Sequence, residues 1–229
     1  MSPEEKAWQA VASRIAEAAH RAGRDPASIR LLAVSKGQPA AKVRAAYALG
    51  HRAFGENYVQ EAVGKIAELD EPPGIEWHMI GPLQSNKARL ASERFAWVQT
   101  VDRLKIAERL ANARDARLPP LNVCVQVNIS GERAKSGATP GDAASLARAV
   151  AKLPRLVLRG FMGIAEETGD IERVRCQFRR LRALFEAARA EGLALDTLSM
   201  GMSADLEPAI AEGATMVRVG TALFGPRQT

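Results

Sequence analysis

The chain has 229 residues, 47% hydrophobic and 25% charged, which is the balance of a globular protein with material for one sizeable core. Its 32 Lys and Arg against 26 Asp and Glu give a net charge of +6. Basic residues nevertheless alternate with acidic ones, and aromatics make up only 5%, which argues against a nucleic-acid stacking surface. No apolar stretch approaches a membrane span and the polar start Met1–Lys6 is no signal peptide, so a cytoplasmic protein is expected.

In chain order, a helix of alternating apolar and charged character runs from about Pro3 to Ala22. Short apolar runs then alternate with helical patterns. The runs are Leu31–Ser35, Arg52–Gly55, Glu76–Ile80, Trp97–Thr100, Leu121–Asn128, Val157–Ile164, Thr197–Met200 and Met216–Val219. The periodic segments between them are Ala40–Leu49, Tyr58–Leu69, Ser85–Ser92, Arg103–Ala116, Asp142–Lys152, Ile171–Glu191 and Glu207–Glu212. Strand then helix, repeated, with eight strand candidates in all, predicts an α/β protein whose parallel strands close into a (β/α)8 barrel. An open doubly wound sheet is the structural alternative, but the first strand lacks the glycine-rich dinucleotide loop that usually follows it there. With no linker or low-complexity stretch, residues 1–229 read as one domain, an N-terminal helix over 1–22 followed by the barrel over 31–229.

In a barrel the carboxyl ends of the strands share one rim, where ligands bind. Lys36 ends the first apolar run, Leu31-Leu32-Ala33-Val34-Ser35-Lys36. Desolvation there lowers an ammonium pKa, and a neutral amine can form a Schiff base with an aldehyde; an ordinary charge marking the strand end explains the same residue. Glycines and hydroxyls after strands seven and eight, Gly201, Ser203, Gly220 and Thr221, suit a phosphate, since glycine allows close backbone approach and free N–H groups hold anions. Simple helix capping by Ser203 and Thr221 explains the same residues. Arg218 alternates with Val217 and Val219 in an apolar strand, so it needs either a cofactor's ring nitrogen or a structural carboxylate. His20, His51 and His78 have no metal-ligand spacing, and neither do Cys124 and Cys176, which read as reduced thiols. The arginines Arg173, Arg175, Arg179, Arg180 and Arg182 read as a solvated helix face.

Several segments resemble one family. They are Ala33-Val34-Ser35-Lys36, Phe54-Gly55-Glu56-Asn57-Tyr58-Val59-Gln60-Glu61, Trp77-His78-Met79-Ile80-Gly81-Pro82-Leu83-Gln84-Ser85-Asn86-Lys87, Val127-Asn128-Ile129-Ser130-Gly131-Glu132, Leu198-Ser199-Met200-Gly201-Met202-Ser203 and Val217-Arg218-Val219-Gly220-Thr221-Ala222-Leu223-Phe224-Gly225. In this order they are similar to the pyridoxal 5′-phosphate homeostasis proteins, whose barrel is like the N-terminal domain of alanine racemase. The resemblance implies pyridoxal 5′-phosphate as cofactor, with Lys36 as its Schiff-base lysine. It implies that Ser203, Gly220 and Thr221 hold the phosphate, with Met200 and Gly201 in the same cofactor-binding set. Arg218 would face the pyridine nitrogen, with Asn57 and His78 near the ring. Pro208 stands where a first-turn helical residue is usual, so the helix after strand seven is expected to begin late.

Racemases of this fold use a second base from a C-terminal β domain, which this chain is expected to lack. Of its two tyrosines, Tyr47 falls on a predicted helix and Tyr58 is expected to pack at the rim. Arginine stays protonated, and beside a pyridine nitrogen it disfavours ring protonation and damps carbanion chemistry. The expectation is a non-catalytic carrier of the cofactor that takes part in vitamin B6 homeostasis and supplies apoenzymes. It would be a monomer or weak dimer, with neither nucleic acid nor membrane as partner. A pyridoxal-phosphate-dependent amino-acid racemase is the alternative. Lys87 and Lys135 are expected to be solvated charges near the rim.

Overall fold

The computed structural model describes residues 2–70, 73–132 and 134–226. Its eight strands are β1 (Arg30–Val34), β2 (Ala53–Glu56), β3 (Glu76–Met79), β4 (Trp97–Val101), β5 (Leu121–Val127), β6 (Leu156–Gly163), β7 (Thr197–Ser199) and β8 (Met216–Val219). They pair in sequence order, all parallel, and β8 returns to β1 to close the barrel. Closure sets Leu32 opposite Arg218 and Ala33 opposite Val219, so the carboxyl ends of the first and last strands lie side by side.

Helices α2 (Ala40–Ala48), α3 (Val59–Leu69), α4 (Ala88–Arg94), α5 (Leu104–Ala113), α6 (Pro140–Val150), α7 (Ile171–Ala190) and α8 (Leu206–Ala211) each follow a strand, and a short helix, α9 (Thr221–Phe224), follows β8. The main apolar core lies between the outer face of the sheet and these helices. In α7, for example, Val174, Phe178, Leu181 and Phe185 recur at helical spacing and are buried. α1 (Pro3–Arg21) begins with a capping box in which Ser2 Oγ accepts from the Glu5 N–H and a Glu5 carboxylate oxygen accepts from the Ser2 N–H. It buries Val11, Ile15, Ala18 and Ala19 and packs on α8 and α9.

Elements run about as predicted, and the differences have local causes. Ser35, Asn128 and Met200 continue their apolar runs but lie just beyond the strand ends. Ser85–Lys87 forms a single 3-10 turn before α4. α8 starts at Leu206 rather than late, because Pro208 is its third residue, where an N–H would have no intrahelical partner. α9 is too short to show a periodic pattern in the sequence. The arginines of α7 stand on a solvated face as expected, and four of the five also pair there: Arg175 and Arg179 bind Glu212, Arg173 binds Glu166 and Arg182 binds Glu186. Cys124 is buried, whereas Cys176 is only half-buried. Among the described residues, no helix is long and apolar enough to cross a membrane, and no group of three His, Cys, Asp or Glu is placed to hold a metal ion.

The inside of the barrel is not uniformly apolar. Leu32, Ala53 and Met216 form one small cluster and Trp97, Cys124 and Met162 another. His78, Gln99, Ser199 and Arg218 are buried polar residues, and the partly exposed Arg30 and Glu76, at the starts of β1 and β3, pair at 2.7 Å from Arg30 Nη2 to Glu76 Oε1.

His51 joins α1 to the barrel wall, with its ring between Trp8 and Phe54 and a ring nitrogen 2.7 Å from the Ala53 carbonyl. Burial lowers its pKa to about 4. A histidine depressed in the folded state contributes stability that is complete above the unfolded pKa and is lost as pH falls towards the folded one. The urea midpoint is therefore expected to drop between pH 6.5 and about 4, and His51→Gln should flatten that slope; an unchanged slope would remove His51 as its source.

Candidate functional site

Lys36 lies two residues past the end of β1, half-buried, in a turn closed by the Gln38 N–H to Ser35 carbonyl bond at 3.0 Å. Gly37 takes φ +67°, which a side chain would resist. A buried ionic cluster clamps the backbone on both sides of Lys36. Lys65, on α3, is 7% exposed and donates to the Ser35 carbonyl at 2.6 Å, to Glu56 Oε1 at 2.7 Å and to Glu61 Oε1 at 2.7 Å. Glu61 Oε1 also accepts the Gly37 N–H at 2.6 Å, and Ser35 Oγ donates to Glu56 Oε1 at 2.6 Å. Glu56 is fully buried, and burial raises its pKa against the opposing pull of Lys65 and Ser35. Sequence reasoning misses Lys65, although its spacing with Ala62, Ile66 and Leu69 places it on the buried face of α3.

Arg218 is 4% exposed near the carboxyl end of β8. Its Nη1 donates to Ser199 Oγ at 2.8 Å and its Nη2 to the Gly163 carbonyl at 2.9 Å. Among the described residues no carboxylate lies within 4.0 Å of it, so the structural ion pair that the sequence left open is not made. Burial lowers its pKa to about 10, which leaves it charged at neutral pH.

The turn after β7 is close-packed. Met200 is buried, with its N–H on the Met216 carbonyl at 3.1 Å. Gly201 has φ +91°, and a Cβ there would come within 2.4 Å of the Ala209 methyl. Its carbonyl accepts the Arg218 N–H at 2.9 Å. Ser203 is half-buried, and Arg14 of α1 holds its carbonyl at 3.0 Å while pairing with Glu207 at 2.9 Å. Asp205 Oδ1 accepts the Met202 N–H at 2.5 Å, which takes that amide out of the donors open to an anion. Burial holds the Asp205 carboxyl above its ordinary range. Gly220 is half-buried against the end of β1, where a Cβ would lie only 3.1 Å from the Val34 carbonyl oxygen. Thr221 is exposed at the start of α9, which no side chain caps.

Asn57 is half-buried just past β2, its backbone so close to Gly81 that a side chain at Gly81 would collide with it. His78, next to last in β3 and level with Gly55 of β2, is fully buried, with Nδ1 2.9 Å from Gln99 Nε2 and its ring stacked on Trp97 at 5.0 Å. Burial pulls its pKa well below the ordinary value, so the ring is neutral. Tyr58 does not pack as expected: it is 66% exposed, because it precedes α3 with its side chain turned to solvent. Tyr47 donates to the Pro73 carbonyl outside the barrel. Lys135 pairs with Glu132 and reaches the Ala165 carbonyl at 3.1 Å. Burial pushes the Cys124 thiol up to about 12, so it is no nucleophile.

These residues fit pyridoxal 5′-phosphate: a lysine past the end of β1, a glycine turn beside it, and a buried guanidinium that donates to two neutral acceptors. Of the cluster around Lys36, Lys65→Met is expected to lower the unfolding free energy by about 3–5 kcal/mol, because it strands a buried carboxylate. Lys65→Met combined with Glu56→Leu should recover most of that loss in urea titrations; a double variant no better than the single one would refute the pairing.

The sequence matches the alanine racemase, N-terminal domain family over residues 7–228. A pyridoxal phosphate homeostasis protein of Pseudomonas aeruginosa is 61% identical over 217 residues, covering 95% of this chain and 93% of the relative. One of Escherichia coli K12 is 52% identical over 219 residues, covering 95% and 94%. A solved structure of PipY from Synechococcus elongatus with PLP bound superposes with a TM-score of 0.81 at 41% identity, covering 92% of this chain and 100% of that one. The chain therefore belongs to the alanine racemase N-terminal domain family and, within it, to the pyridoxal phosphate homeostasis proteins.

Proposed function

We propose that the protein binds pyridoxal 5′-phosphate, holds its aldehyde as a Schiff base on Lys36, and serves the intracellular supply of this cofactor rather than turning a substrate over. The observation that carries the reading is Arg218, a buried cation whose hydrogen bonds go to a hydroxyl and a carbonyl and which has no carboxylate within 4.0 Å among the described residues, on the strand that neighbours Lys36. The name shared by the relatives and the cofactor in PipY support the choice of ligand.

On this reading Ser203, Gly220 and Thr221 receive the phosphate, and Met200 and Gly201 shape the turn that lets it approach. Arg218 meets the ring nitrogen, with Asn57 and His78 near the ring. The bound cofactor supplies an electrophilic aldehyde and an aromatic ring that can accept electrons. A permanent cation beside the ring nitrogen keeps that nitrogen unprotonated, which weakens the electron sink. Proton transfer on a bound amino acid also needs a second base. Tyr58 points to solvent and His78 is sealed beneath Gln99, so neither is set to serve. Sequestration of a reactive aldehyde and its release to cytoplasmic apoenzymes is the function left.

Addition of pyridoxal phosphate to the purified protein is expected to produce a visible absorbance band that borohydride abolishes, with the label mapping to the peptide that contains Lys36. Lys36→Ala should lose both band and label while keeping its thermal unfolding transition. A covalent adduct retained in Lys36→Ala would overturn the assignment, and turnover of a chiral amino acid that this substitution abolishes would make the protein a racemase.

A further inference from the structure

A single file of hydrogen bonds descends from Arg218 through the barrel. Ser199 Oγ, which accepts from Arg218, lies 2.7 Å from Gln99 Oε1, and Gln99 Nε2 lies 2.9 Å from His78 Nδ1 and 3.1 Å from Met216 Sδ. Arg218, Ser199, Gln99 and His78 are all buried.

The direction of every bond follows from the first. A guanidinium only donates, so Ser199 Oγ accepts, and its own proton goes to Gln99 Oε1. That fixes the amide, whose NH2 then faces two acceptors, His78 Nδ1 and Met216 Sδ. His78 must therefore carry its proton on Nε2. That atom has no hydrogen-bond partner and lies 4.0 Å from Glu76 Oε2, an oxygen already taken by the Trp97 indole N–H at 3.0 Å. A second proton on His78 would oppose the Gln99 NH2, and a flipped amide would leave Ser199 without an acceptor. The file has one self-consistent arrangement, and it ends on a neutral ring wedged against Trp97.

We propose that Ser199, Gln99 and His78 are positioning residues for Arg218, acting in series to hold its guanidinium at the ring nitrogen of the bound cofactor. The inference rests on the pyridoxal phosphate reading. Neutral acceptors suit this role because they hold the guanidinium in place without forming a direct ion pair; Asp205 acts on its charge only from beyond hydrogen-bond distance. A carboxylate at position 199 or 99 would hold it as well but would neutralise it.

The test is titration of the unloaded protein with pyridoxal phosphate, following affinity and the position of the visible band, alongside thermal unfolding of the same unloaded samples. Ser199→Ala, which removes the charge-assisted bond to Arg218, and Gln99→Leu, which removes the acceptor that orients Ser199, are each expected to weaken binding about tenfold and to move the band maximum. Because both break the same file, the double variant should be scarcely weaker than either single one. Ser199→Thr, which keeps the hydroxyl, should restore affinity and band. Wild-type binding with Ser199→Ala unchanged in both readouts, effects that multiply in the double variant, or no recovery with threonine would overturn the inference while leaving the cofactor assignment standing. A wild-type protein that gives no band would bring down the cofactor assignment itself and this inference with it. Should Ser199→Ala fail to fold, Gln99→Glu provides the second arm: it preserves shape but introduces a neutralising carboxylate, and unchanged affinity and band there would equally refute the proposal.

Discussion

A guanidinium that is only 4% exposed inside a closed barrel must be given oxygen, because a desolvated charge without hydrogen-bond partners is costly. Arg218 obtains one oxygen from Ser199 on β7 and another from Gly163 at the end of β6. That requirement reaches across the whole interior: Ser199 needs Gln99 on β4, and Gln99 needs a neutral His78 on β3. Strands that are distant in sequence are thus tied by one cation. The apolar clusters of Leu32, Ala53 and Met216 on one side, and Trp97, Cys124 and Met162 on the other, fill the space that this file leaves. Where small parallel barrels commonly pack layers of branched apolar side chains, this one gives up part of its core to a polar column.

The rim lysine depends on a second buried cation on the other side of the sheet. Lys65 reaches from α3 to the Ser35 carbonyl, while Glu61 holds the Gly37 N–H, so the two peptide groups flanking Lys36 are fixed by one helix. Glu56 completes the arrangement, and one of its oxygens remains without a hydrogen-bond partner. Such a cluster adds little net stability when intact, since desolvation offsets attraction, but it specifies geometry. The backbone on which the amine of Lys36 is mounted is held rigid while the side chain itself stays half-buried at the opening. α1 has a similar supporting role at the other end of the site, where Arg14 grips the Ser203 carbonyl and Glu207 together.

Much of this is legible in the chain. Eight apolar runs alternating with helical patterns specify a parallel (β/α)8 barrel, because strand and helix periods are local properties and right-handed crossovers leave few ways to assemble them. The glycines at 201 and 220 are legible as places of close approach, and the structure gives the reason: a methyl at either would press on Ala209 or on the end of β1. Arg218 stands out because charge does not belong in an apolar strand. Less is legible at Tyr58, where an aromatic beside a motif suggests packing and the chain turns it to solvent.

Short-range pattern is enough to set the order and type of elements and to mark the residues whose chemistry is out of place in their segment: Lys36, Arg218, His78. Such pattern survives without knowledge of neighbours. Partnership is a property of the folded chain alone. Whether Arg218 meets a carboxylate or a hydroxyl, whether Lys65 is a surface charge or a buried clamp, and which tautomer His78 adopts all depend on strands and helices up to about a hundred residues apart, as Ser199 and Gln99 are. Hydrogen bonds act over about 3 Å of space, and distance along the chain carries no record of it until the barrel closes.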